Sequence, residues 1–165
     1  MVSLKILDVK TFMSSLLIQT TFDNFQLSEL ELATYNQFKI AGRLNKSWYS
    51  NEELEQLDGR EYSKWSELKP VAFQLIKGNK TPSSFKIVFL LSRENIEKLL
   101  SKMGNTFSGE DIDNLFLNIR FEKDILTIIT GTSMKTFSLN KSLEQEWDQN
   151  VKAFLKKNEI VFEEN

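Results

Sequence analysis

The sequence contains neither cysteine nor histidine, and only two prolines and six glycines among 165 residues. The first two absences exclude thiol nucleophiles, disulfides, structural zinc, imidazole acid–base chemistry and nearly all transition-metal sites. Scarce Pro and Gly argue against long flexible linkers. No apolar run approaches the roughly 18 residues of a transmembrane helix. The opening Met1-Val2-Ser3-Leu4-Lys5-Ile6-Leu7-Asp8 lacks the basic and apolar regions of a secretory signal, so the expected location is cytoplasmic with no membrane partner. What remains is ordinary globular composition, 41% hydrophobic, 27% charged and 12% aromatic. It suits one domain over 1–165 that buries its own core.

The net charge of −2 is unevenly spread. Residues 59–86 hold six basic residues (Arg60, Lys64, Lys69, Lys77, Lys80, Lys86) against Glu61 and Glu67, a local +4 between two acidic parts. A basic belt can attract an anionic ligand or a phosphate backbone. The plainer reading is a solvated surface segment. The domain as a whole is too acidic for strong non-specific nucleic-acid binding.

Periodicity predicts an α+β fold with a largely antiparallel sheet and about three main helices. Leu4 and Ile6 suit a short strand. Asp8 caps a helix whose apolar positions, Val9, Phe12, Met13, Leu16 and Leu17, form one face. Segments 25–32 and 37–44 read as paired strands, with a phase slip at Ser28-Glu29 that marks a bulge. Ser50-Asn51-Glu52-Glu53 is a capping box for a short helix ending near Gly59. After Pro70, residues 71–76 read as a strand, because proline opposes a helix through this stretch.

Alternation then predicts a central strand over 85–91. A helix capped by Ser92 follows, bearing Ile96, Leu99, Leu100 and Met103. Next come a strand over 115–121 with one wet face, a turn at Lys123-Asp124, and a strand over 125–130. Gly131-Thr132-Ser133 reads as a turn into a further strand bearing Phe137 and Leu139. The chain closes with a helix over 141–158, capped by Asn140 or Ser142 and striped by Leu143, Trp147, Val151, Phe154 and Leu155. Strand–helix–strand–strand thus occurs in two similar halves, about 1–80 and 83–140.

Tests for chemistry return little. No Gly-x-Gly-x-x-Gly exists, and Gly78-Asn79-Lys80-Thr81 lacks the first glycine of a P-loop. Glu110-Asp111-Ile112-Asp113-Asn114 lacks EF-hand spacing, so no metal site is expected. Gly131-Thr132-Ser133-Met134-Lys135 offers a Ser–Lys pair, but a structural turn is the simpler use. The densest group of aromatics and cations is Arg43, Trp48, Tyr49, Arg60, Tyr62, Lys64, Trp65 and Lys69. Such interleaving can stack bases or hold an anion; aromatic side chains can equally pin a loop to a core. The candidate ligand-binding set is Arg43, Trp48, Tyr49, Arg60, Lys64, Trp65, Lys77 and Lys80.

The stretches Phe73–Gly78, Thr81–Ile87, Leu115–Arg120 and Gly131–Phe137, with the helix bearing Leu143 and Trp147, resemble a small family of bacterial proteins of unknown function. That resemblance covers most of the chain, implies a Gram-positive anaerobe as source, and supplies no activity or site residues. The doubled strand–helix–strand–strand order resembles one domain of a sliding DNA clamp. It departs from clamps in its helices: the first carries only Lys10, and the second mixes Arg93, Lys98 and Lys102 with Glu94 and Glu97. The resulting expectation is a non-enzymatic binding or assembly module. Nucleic acid or a protein is its expected partner, a homo-oligomer could form through an exposed sheet edge, and no cofactor is expected. The alternative is a small carboxylate- or lysine-based enzyme acting on an anionic metabolite.

Overall fold

The computed structural model describes residues 1–76 and 80–165. Seven strands form one open antiparallel sheet in the order β3-β2-β4-β5-β6-β1-β7. They are β1 (Ser3–Ile6), β2 (Gln26–Ala33), β3 (Gln37–Ala41), β4 (Ser84–Leu90), β5 (Ile112–Glu122), β6 (Ile125–Met134) and β7 (Phe162–Glu164). Among the described residues five α-helices join them: α1 (Val9–Leu17), α2 (Asn51–Gln56), α3 (Trp65–Ile76), α4 (Arg93–Lys102) and α5 (Ser142–Lys157).

Period-two alternation makes the sheet two-faced. One face buries Leu30 and Leu32 of β2, Ile87 and Phe89 of β4, and Leu117 and Ile119 of β5. Phe12, Leu16, Trp65, Ile96, Leu99, Trp147 and Leu155 of the helices join them in one core. The register places Glu31, Lys86, Arg120, Thr127, Lys5 and Glu163 in one polar row across the other face, which also carries the buried Val88 and Leu90. Local chemistry sets the element ends. Asp8 Oδ1 accepts from the Thr11 amide at 3.0 Å to start α1. Lys123 and Asp124 both take positive φ, 52° and 63°, as a two-residue hairpin turn between β5 and β6 requires. The β2–β4 register shifts between Leu27 and Glu29, where the phase slip lies.

The structure corrects three expectations. Residues 71–76 are helical, the second half of α3. Proline removes one intrahelical hydrogen bond, but Trp65, Leu68, Ala72, Leu75 and Ile76 share one helical face. That face buries Trp65 and Ala72 and packs Leu68, Leu75 and Ile76 against the core. Burial of this stripe outweighs the local cost of Pro70. Second, no turn interrupts Gly131-Thr132-Ser133: β6 continues to Met134 because β5 pairs with it along its whole length. Phe137 and Leu139, which have no strand to pair with, are 91% and 83% exposed in the link to α5. Third, α3 joins α1, α4 and α5 as a fourth substantial helix, and a short strand, β7, closes the sheet edge beside β1.

The strand–helix–strand–strand order does occur twice, as β1-α1-β2-β3 and β4-α4-β5-β6. The pairing does not repeat. β4 lies beside β5, whereas β1 lies between β6 and β7, at the opposite end of the sheet from β2. The likeness to a clamp domain is one of order only.

Candidate functional site

The aromatic and cationic residues singled out by composition fall on an excursion that leaves the sheet after β3 and returns before α3. Its base is a short ladder. The Leu44 amide donates to Glu61 O at 2.9 Å, Ser63 to Gly42 O at 2.8 Å, and Leu27 to Ser63 O at 2.8 Å. Gly42 is required there, because a Cβ would lie 1.7 Å from Leu27 O.

On this excursion the cations are largely paired. Lys46 Nζ donates to Glu61 Oε1 at 2.7 Å, and Arg43 lies 3.6 Å from the same carboxylate and 5.7 Å from the Tyr62 ring centre. Arg60 is paired with Glu67 and donates to Tyr62 O at 3.0 Å. Farther along the belt, Lys69 donates to Asp23 at 2.6 Å and Lys86 to Glu29 at 2.7 Å. Between residues 43 and 64, four cations stand among five acids (Glu52, Glu53, Glu55, Asp58, Glu61). The chain therefore folds acidic side chains back onto the basic belt.

Trp65 is fully buried; its Nε1 donates to Leu16 O at 2.8 Å, so it pins the loop to the core and presents no binding surface. Trp48 is 75% exposed and edge-on to Tyr49 at 5.3 Å. Lys64 is exposed at the start of α3, where its amide donates to Glu67. Lys80 is exposed in the connection to β4, and Lys77 lies outside the described residues. Of the described residues in this set, none lines the α4–α5 cleft or the depression at the ends of β2 to β5 described below.

The ion pairs predict a specific pH response. The Lys46 ammonium holds Glu61 below the usual carboxylate range, and that of Lys86 does the same for Glu29. Burial pushes Glu67 up, but the Arg60 guanidinium and the Lys64 amide outweigh it and leave its carboxyl lowered. Groups with lowered folded pKa stabilise fully above the unfolded value, about 4.3 for Glu, and lose that contribution as pH falls through the folded value. With no histidine to titrate, the urea midpoint should be flat from about pH 5.5 to 7 and fall between about pH 5 and 3. A midpoint that rises on acidification, or steps between pH 6 and 7, would contradict these pairings.

A concave site lies elsewhere, between α4, α5 and the segment joining α1 to β2. It is a cleft of about 360 Å³, at the small end of the roughly 300–1,000 Å³ usual for ligand sites. Ser92 Oγ accepts from the Asn95 amide at 3.3 Å and so starts α4. Helical spacing then puts Asn95, Lys98 and Lys102 on one stripe beside the buried Ile96, Leu99 and Leu100. On α5 the buried stripe is Leu143, Trp147, Val151 and Leu155, flanked by Asn150 and Phe154 on the cleft side. Asn140 Oδ1 accepts from the Ser142 amide at 3.0 Å at the start of this helix.

The floor is apolar and rigidly held. Trp147 Nε1 donates to Phe116 O at 3.0 Å. Phe154 stands edge-on to Phe25, with ring centres 5.5 Å apart, and Phe25 stacks on Phe89 at 5.6 Å. Leu91, Leu99 and Leu117 complete it. The rim carries Thr21, Asn24, Asn95, Asn150, Lys98 and Lys102, and no carboxylate lines the cleft. Lys98 pairs with Glu94 at 2.8 Å and Lys102 with Glu146 at 3.3 Å, both outside the lining. A wider depression at the ends of β2 to β5 mixes Glu31 and Glu122 with Lys39, Lys86 and Arg120 and so has no single chemical character.

Nothing in the sequence pointed to the cleft. Asn24, Asn95 and Asn150 come from three distant segments, and Leu99, Trp147 and Phe154 read as ordinary core stripe. Among the described residues, no group of three or more Asp or Glu side chains could hold a metal ion, and no helix is long and apolar enough to cross a membrane. The chain belongs to a family of unknown function, DUF5721, whose model matches residues 15–163. No curated protein and no solved structure gives a significant match.

Proposed function

We propose that this member of the family is a non-enzymatic binding module and that the α4–α5 cleft is where it binds a small molecule. The observation that carries the reading is the composition of the cleft: an aromatic and aliphatic floor, an amide and ammonium rim, and no carboxylate in the lining. Carboxylate-based acid–base catalysis needs at least one such group within reach of the substrate. A nucleophilic lysine needs a desolvated ammonium, whereas the side chains of Lys98 and Lys102 are 68% and 70% exposed. Apolar walls with a few convergent polar groups are what a binding pocket requires.

A thermal-shift screen of metabolites against the full chain tests this reading. A cleft ligand at 100 times its Kd stabilises by about 2.7 kcal/mol, which raises Tm by roughly 5–11 °C for a chain of this size. Asn150→Trp, which fills the mouth of the cleft, should abolish the shift without lowering the unliganded Tm by more than about 2 °C. Turnover of a hit into product would restore the enzymatic alternative. Salt-dependent binding of DNA or RNA would move the site back to the 43–64 excursion.

A further inference from the structure

The chemistry of the cleft narrows its occupant, and the step rests on the binding-module reading above. We infer that the cleft takes a small, flat, apolar molecule bearing one anionic group, with the ring seated on the floor and the anion held at the α4 rim. Three aromatic side chains, Phe25, Trp147 and Phe154, line the floor. Aromatic walls favour a flat partner that can stack or meet ring edges. The volume of about 360 Å³ admits one or two fused rings and little more.

The anion follows from charge. Lys98 and Lys102 lie four residues apart on α4, so both side chains leave the same face of the helix, and both line the cleft. No acidic side chain lines the cleft itself; the carboxylates that pair with the two lysines stand outside it. Their partners, Glu94 and Glu146, engage them from outside, and Glu94 itself is 78% exposed. An exposed pair such as Lys98–Glu94 is weak and exchanges readily, so Lys98 can turn to a ligand anion at the mouth, while Lys102, whose partner Glu146 is 29% exposed, adds positive charge beside it. Asn24, Asn95 and Asn150 add donors and acceptors without charge, suited to a hydroxyl or carbonyl on the ligand body.

Three probes with the same ring and different charge separate this inference from the reading it rests on: 1-naphthoate, neutral 1-naphthamide and cationic 1-naphthylmethylammonium, each titrated calorimetrically at low salt. 1-Naphthoate should bind at least ~10-fold tighter than the amide, and the ammonium should not bind measurably. The double variant K98Q/K102Q changes only exposed side chains. It should bring naphthoate affinity down to that of the amide, so that the acid loses at least ~10-fold more affinity than the amide does. E94Q, which releases Lys98 from its partner, should tighten naphthoate alone. An amide that binds as tightly as the acid overturns the anionic assignment and leaves the cleft standing. Failure of all three probes, or binding unaltered by Asn150→Trp, ends the cleft reading and this inference with it.

Discussion

Trp65→Ala should cost about 3–5 kcal/mol of stability, the usual range for deleting a fully buried indole. The side chain is 0% exposed and meets Phe89 at a ring distance of 5.2 Å. Its loss opens a cavity where α1 and α3 pack, and it leaves Leu16 O without its indole donor. For a chain of this length the effect corresponds to a fall in Tm of roughly 6–20 °C. Trp65→Phe retains a ring and loses the hydrogen bond, so about 1–3 kcal/mol is expected. Urea unfolding followed by circular dichroism reads both. A loss below 1 kcal/mol for Trp65→Ala would mean that α3 is not docked through this residue.

Trp147→Ala should have a comparable effect on stability and a second effect that Trp65→Ala lacks. Trp147 is 1% exposed and donates to Phe116 O, so the truncation again costs about 3–5 kcal/mol. It also removes part of the cleft floor. At a temperature where both variants remain folded, binding of 1-naphthoate should weaken at least ~10-fold in Trp147→Ala, the loss of one good aromatic contact. In Trp65→Ala it should stay within about two-fold of the parent chain. Equal losses in the two variants would indicate a general loosening of the core rather than a site at α4–α5.

The contrast between these two tryptophans shows where sequence reasoning succeeds. α1 and α4 announce themselves by a side-chain cap and a clean apolar face, and β5–β6 by alternation around Lys123-Asp124; α5 is legible from its apolar stripe alone, since its N-cap is Lys141, with no side-chain cap, and not Asn140 or Ser142. In those segments local preference and tertiary packing agree. α3 misleads because Pro70 is a strong local signal against helix, while the gain from burying Trp65 and Ala72 is tertiary and invisible locally. Phe137 and Leu139 mislead in the opposite sense: they alternate like a strand, but no neighbour pairs with them. The place of β1 between β6 and β7 depends on pairs such as Leu4↔Ile128 and Leu4↔Glu164. Separations of that order leave no periodic trace.

The α4–α5 cleft is illegible in the sequence for a related reason. Counting charge along the chain marks residues 59–86 as basic, but in space Glu67, Asp23 and Glu29 pair with Arg60, Lys69 and Lys86 of that belt. The α4–α5 cleft has no compositional mark at all. Its lysines belong to an α4 of mixed charge, and its asparagines are spread over the length of the chain. Only the packing of α4 and α5 against the segment after α1 brings them together.

The three indole N–H groups supply the most direct test, since each reports one region: Trp48 the excursion, Trp65 the core beneath α3, and Trp147 the cleft floor. The measurement is a proton–nitrogen correlation spectrum of the full chain during titration with 1-naphthoate. The Trp147 indole and the side-chain amides of Asn24, Asn95 and Asn150 should shift together along one saturable curve, with the Trp48 indole unmoved. Shifts at Trp48 with Trp147 unchanged would place binding on the excursion and contradict the account.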